Sequence, residues 1–248
     1  MPIGGTGVFP GPSADVYYFG VSLGGIMGTY FAGLTPDIDR FALDVPGVNF
    51  SCLLQRATPF ESFDSLLASI GISDPTEVAL GIQLVHELWA SAEPVADAAH
   101  VTTDPLPGSG NAKKVVLNVA WLDDEVSNMC TEIEARTLGL SMLEGSIQQG
   151  LQQIPDVTGP QESGVIYWDL GELDILNPAQ QKYLPPLANL FPSGVCDPHP
   201  RRASIPDSIM QLNAFLQPNG MLEDFCTGLC DGKTADEQPL LGRCTPPP

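Results

Sequence analysis

A serine at position 22 stands among small residues, in Gly20-Val21-Ser22-Leu23-Gly24-Gly25. The G-x-S-x-G spacing suits a sharp strand-to-helix turn, which lifts a hydroxyl above a sheet edge where it can attack an electrophile. Its plain alternative is a Gly/Ser turn without chemistry. A nucleophilic hydroxyl needs a base, and the chain has three histidines, His86, His100 and His199. His86 falls inside an apparent helix, where packing or solvent contact is the plainer role, and His100 closes a helical stretch. His199 lies in Cys196-Asp197-Pro198-His199-Pro200, an irregular setting of the kind that positions functional side chains. An acid that orients the imidazole has candidates in Trp121-Leu122-Asp123-Asp124-Glu125. Three adjacent acids leave that choice open, with Asp123 nearest the end of the preceding strand. The same run reads as a helix cap with first-turn acids, and the two roles can coexist.

These residues need elements to hold them. The apolar, aromatic run over 15–21 predicts a buried strand leading into Ser22, and 23–34 predicts a helix leading out. Glycines are poor helix formers, so those in 23–34 imply close packing against a sheet. A second short strand is expected over 41–45. From about 49 to 100 the pattern turns helical, with amphipathic pieces over 63–70 and 77–92, the latter carrying Val78, Ile82, Val85 and Trp89 near helical spacing. Strands over 114–121 and 164–170 follow, with helices over 130–138 and 208–216. This order predicts an α/β protein with a parallel sheet. The expected organisation is a core of residues 1–48 and 101–220, a helical cap insert of 49–100, and a Cys/Pro-rich tail of 221–248.

Composition narrows the partners. Acidic residues outnumber basic ones 30 to 10 in 248 residues, a formal net charge of −20 that leaves no cationic surface for nucleic acid or an anionic membrane. No apolar run approaches the roughly 20 residues of a membrane helix. The N-terminus as written has no basic or apolar region of a signal peptide. The six cysteines, Cys52, Cys130, Cys196, Cys226, Cys230 and Cys244, favour disulfides and an oxidising compartment, with the pairing open. The competing reading is a zinc site on Cys226 and Cys230 with Cys196 completing the set.

Taken together, residues 17–34, the Asp123-x-x-Val126-x-Asn128 segment with Ala135-Arg136-Thr137-Leu138-Gly139-Leu140, and the His199 region with its following helix resemble bacterial α/β-hydrolase esterases and lipases. The chain order Ser, Asp, His is that of the fold. The resemblance spans about residues 15–216, and its Asp-x-x-Val pattern puts the acid on Asp123. It implies hydrolysis of a small carboxylic ester with an apolar acyl group through an acyl-enzyme. Ser22 would be the nucleophile, His199 the base, Asp123 its orienter and the Leu23 amide an oxyanion donor, with no cofactor or metal. The alternative is a catalytically weak remnant of the same fold acting as a binding or assembly module.

One departure matters. In the family the nucleophile follows the fifth of eight strands, whereas 21 residues precede Ser22 here. The expectation is therefore an N-terminally shortened sheet: part of a longer esterase, a reduced fold, or a sheet covered by a second subunit. An exposed apolar edge strand invites pairing, so a homo-oligomer is expected. Gly4-Gly5-Thr6-Gly7 is a candidate replacement for the missing second oxyanion donor, with a loose glycine terminus as the plain alternative. Cysteine usage and the resemblance place the protein outside the cytoplasm.

Overall fold

The computed structural model describes residues 15–170 and 197–232. Within them the chain runs β1 (Tyr18–Val21), α1 (Leu23–Leu34), β2 (Arg40–Asp44), α2 (Phe50–Leu53), α3 (Glu61–Ser69), α4 (Pro75–Trp89), α5 (Pro94–Ala98), β3 (Lys114–Ala120), α6 (Asn128–Thr137), β4 (Met142–Leu143), β5 (Asp156–Val157), β6 (Gly164–Trp168) and α7 (Pro206–Phe215). The six strands form one sheet in the order β1-β2-β3-β6-β4-β5, and every pairing in it is parallel. The expected α/β architecture is therefore present.

Parallel strands connected by helices are covered on both faces, so they read as continuous apolar runs rather than alternating ones. The alternation appears in which side each residue packs on. Phe41, Leu43, Val115, Leu117, Val119, Val165 and Tyr167 share a core with Ala32 of α1, Ala98 of α5 and Ala135 of α6. Ala42, Val116, Ala120, Ile166 and Trp168 pack on the other side with Leu212 and Phe215 of α7. Leu222 and Cys230 join this second core, so the first part of the Cys/Pro-rich tail is folded onto the sheet.

The crossover from β2 to β3 carries α2 through α5. The last of these, α5, lies against α1 and contributes Ala98 to the first core, so the material standing off the sheet ends before Pro94. Cys52 of α2 is bonded to Cys130 of α6, and Cys226 to Cys230. The second pair removes two of the thiolates of the zinc alternative. Cys196 and Cys244, like the glycines of residues 4–7, lie outside the described residues. No described helix is long and apolar enough to cross a membrane.

The strand expected over 15–21 is paired only from Tyr18, and it lies at the end of the sheet. Among the described residues its outer edge has no partner, and Val16, Phe19 and Val21 are exposed beside it.

Candidate active site

In a parallel sheet all strands point the same way, so residues just beyond their C-terminal ends gather along one edge, where α/β proteins place their ligands. Ser22 follows β1, Asp44 ends β2, Asp123 stands three residues past β3, and His199 comes after β6.

Ser22 occupies a turn that its neighbours make possible. Its backbone has φ 55° and ψ −120°, a region that L-residues avoid and that persists only where surroundings enforce it. Gly20 is required by close approach, because a Cβ there would come within 2.3 Å of the Gly24 carbonyl oxygen. At Gly25 a Cβ would meet the Asp44 carbonyl oxygen at 2.9 Å, which explains how α1 sits so near β2. The Ser22 amide donates to the Asp44 carbonyl at 2.9 Å, and the Ile26 amide donates back to the Ser22 carbonyl at 2.9 Å. The amides of Leu23, Gly24 and Gly25, in the first turn of α1, have no intrahelical acceptor and sit at its positive end.

The cap reading of the acidic run fails, because α6 has Ser127 at its N-cap and no acid in its first turn; Asp123 instead closes the turn before the helix and contacts the histidine. Its Oδ1 accepts from the amides of Glu125 at 2.9 Å and Val126 at 2.7 Å, closing the turn before α6. Its Oδ2 lies 2.8 Å from Nδ1 of His199. Both side chains are buried, Asp123 to 1% exposure and His199 to 7%. Burial pushes the Asp123 carboxyl above its ordinary range, while the hydrogen bond and charge of His199 and the Val126 amide pull against it. Burial alone would lower the His199 pKa. The hydrogen bond and charge of Asp123, with the charges of Glu125 and Asp197, more than offset this and hold it above its ordinary value.

Of the three adjacent acids, then, Asp123 is the one on Nδ1. Asp124 turns its carbonyl to the amide and hydroxyl of Thr58, both at 2.9 Å. Glu125 reaches the other ring nitrogen, with Oε2 3.5 Å from Nε2. The other histidines are engaged elsewhere: His86 faces Glu93 at 3.4 Å, and His100 contacts the Asp104 carbonyl at 2.9 Å.

The structure brings Asp123 and His199 into contact and sets Ser22 along the same edge. Among the described residues no hydrogen bond joins the Ser22 hydroxyl to His199, whose Nε2 is buried without a hydrogen-bond partner. What connects the two sides is Asp44. Its carbonyl holds the Ser22 amide, and its buried carboxylate pairs with Arg202, three residues past His199. Arg202 is 1% exposed, bonds also to the Ser208 hydroxyl, and is pushed down to about 9 by burial. Neither Asp44 nor Arg202 is singled out by motif. The available signal was an acid closing an otherwise apolar strand, Phe41-Ala42-Leu43-Asp44.

Beside α1 lies an apolar cavity of about 590 Å³, lined by Phe50, Leu54, Phe60, Ile82 and Trp89 of the insert and by Met27 of α1. Ser22, Asp123 and His199 are not among its lining residues. Its link to them is Met27, five residues along α1 from Ser22, or roughly 7.5 Å of helix rise. No protein-family model matches the chain, and a search of curated proteins finds no match either.

Proposed function

We propose that the protein is a serine hydrolase of carboxylic esters, built on an α/β-hydrolase sheet with a helical cap. The observation that carries this is the positive-φ turn at Ser22, on the same sheet edge as a buried Asp123–His199 pair. In the proposed reaction His199 Nε2 takes the Ser22 proton as Oγ attacks the ester carbonyl. The Asp123 carboxylate holds the ring and stabilises the imidazolium that forms. The Leu23 amide, at the start of α1, donates to the oxyanion. The imidazolium returns its proton to the departing alcohol, leaving an acyl-Ser22 that water cleaves by the reverse sequence. The apolar cavity of the insert supports an apolar acyl group. Thioesters and amides would meet the same atoms, so the acyl group and not the leaving group is what the cavity addresses.

A fluorophosphonate probe tests the assignment, since covalent labelling requires an activated serine. Labelling is expected on the peptide containing Ser22. Ser22→Ala is expected to abolish it and to lower kcat for a short acyl ester by about 10³-fold or more. Activity surviving in that variant would overturn the reading, and a folded protein that never labels would instead favour a binding or assembly module.

Two further readings attach to this function. The edge of β1, which has no partner among the described residues and carries the exposed Val16, Phe19 and Val21, supports a homo-oligomer joined there, to be read as a mass above that of one chain in light scattering. The two disulfides among the described residues fit an oxidising, extracytoplasmic setting, and secretion is the reading we attach to them.

A further inference from the structure

Both ring nitrogens of His199 face carboxylates. Asp123 Oδ2 lies 2.8 Å from Nδ1, and Glu125 Oε2 lies 3.5 Å from Nε2. A triad explains the first contact and has no use for the second, because Nε2 is the atom that must receive the serine proton. A ring flanked in this way is stabilised with a proton on each nitrogen, and an imidazolium has no lone pair to act as a base. We propose that Glu125 is a latch on the base of this site: seated on Nε2 it holds His199 protonated, and its departure frees Nε2 for the serine. This regulation rests on the serine hydrolase reading above.

The surroundings suit a movable acid. The Glu125 side chain is 35% exposed, whereas that of Asp123 is 1% exposed and fixed by two backbone amides. Glu125 can therefore rotate into solvent at little cost while Asp123 cannot. Asp197, whose Oδ1 accepts from the His199 amide at 2.9 Å, also shares a hydrogen bond with the Glu125 carboxyl. Among the described residues these three acids are the charged groups facing the imidazole: Asp123 and Glu125 from the loop after β3, and Asp197 from the histidine's own loop. Crowding of like charges and burial raise the Glu125 carboxyl above its ordinary range, burial being the larger cause. Unlatching releases one proton, from Nε2 to solvent, as Glu125 swings out. The latched state is thus favoured at lower pH, and activity rises as the pH passes the His199 pKa.

The test uses the full chain with labelled histidine, following the His199 ring by NMR against pH and identifying its signal by His199→Gln. In Glu125→Gln, and in Glu125→Ala as a second variant, the His199 pKa is expected to fall by about one unit. The acid limb of fluorophosphonate labelling and of ester hydrolysis should move down by the same amount, about tenfold faster on that limb. An unmoved His199 pKa in both variants, with Ser22 still labelled, overturns the latch alone. A moved pKa with an unmoved acid limb also overturns it. A moved pKa with Ser22 unlabelled at every pH overturns the hydrolase reading, and the latch falls with it.

Discussion

The C-terminal edge of the sheet and the helical insert above it are built on opposite terms. Along the edge, polar groups are buried and partnered: Asp44 with Arg202, Asp123 with His199 and two amides, Asn118 with the indole of Trp168. In the insert several large apolar side chains are exposed. Helix α4 turns Val78 and Ile82 inward, yet Leu80, Leu84 and Leu88 lie together on its outer side, Leu88 at 85% exposure. Phe63, Leu66 and Ile70 of the neighbouring segment are exposed too. The buried apolar cluster of the insert is small, with Ala57, Phe60, Val78 and Ile82 as its buried members. Geometry that must be held to fractions of an ångström sits where removal of any partner strands a charge or a donor. Under the proposed function, the surface that receives the acyl group sits where little fixes it.

The greatest separation between the two regions should appear in stability. Asp44→Ala strands the Arg202 guanidinium inside the protein and is expected to cost about 3–5 kcal/mol in urea unfolding. In the same titration Leu88→Ser, on the exposed face of α4, should stay within about 0.5 kcal/mol. Equal costs would mean that the insert is as tightly built as the edge.

A further difference should appear against pH. Glu134 of α6 is fully buried, receives the Thr29 hydroxyl of α1 and leaves its other oxygen without a partner. Burial raises its pKa from 4.5 to about 8, so the folded state keeps a proton that the unfolded chain has lost over that interval. Stability from this group is complete below about 4.5 and declines as pH rises, until it is gone above about 8. Glu134→Gln, which cannot ionise, should flatten the fall in stability between pH 5 and 8 and leave the protein more stable at pH 8. An unchanged slope would show that another group governs it.

How far all this could be read in advance depended on the length of the signal. Helix α1 stands at 23–34 as expected, because the turn at Ser22 starts it abruptly and Pro36 lies just beyond it. Strands of four or more residues were each visible within a few positions. β4 and β5 have two residues each, too few for any periodicity, and were missed. Asp123 and His199 were legible because loop, strand end and chain order agreed on them. The bond between Cys52 and Cys130 was not, since it depends on where the insert folds back onto α6. Asp44 with Arg202, and Glu125 on Nε2, were hidden for the same reason: each is an ordinary charge in sequence and becomes notable only beside its partner.

The Cys52–Cys130 bond has a consequence for the integrity of the molecule. It joins residues 78 positions apart, and closing a loop of that size removes chain entropy worth about 4.5 kcal/mol from the unfolded state. The loop it closes contains the whole of α3 and α4, including the exposed turn at Gly71. A peptide bond cut there leaves the two halves covalently joined on either side of the wound. Scission at that exposed turn therefore costs the protein no fragment.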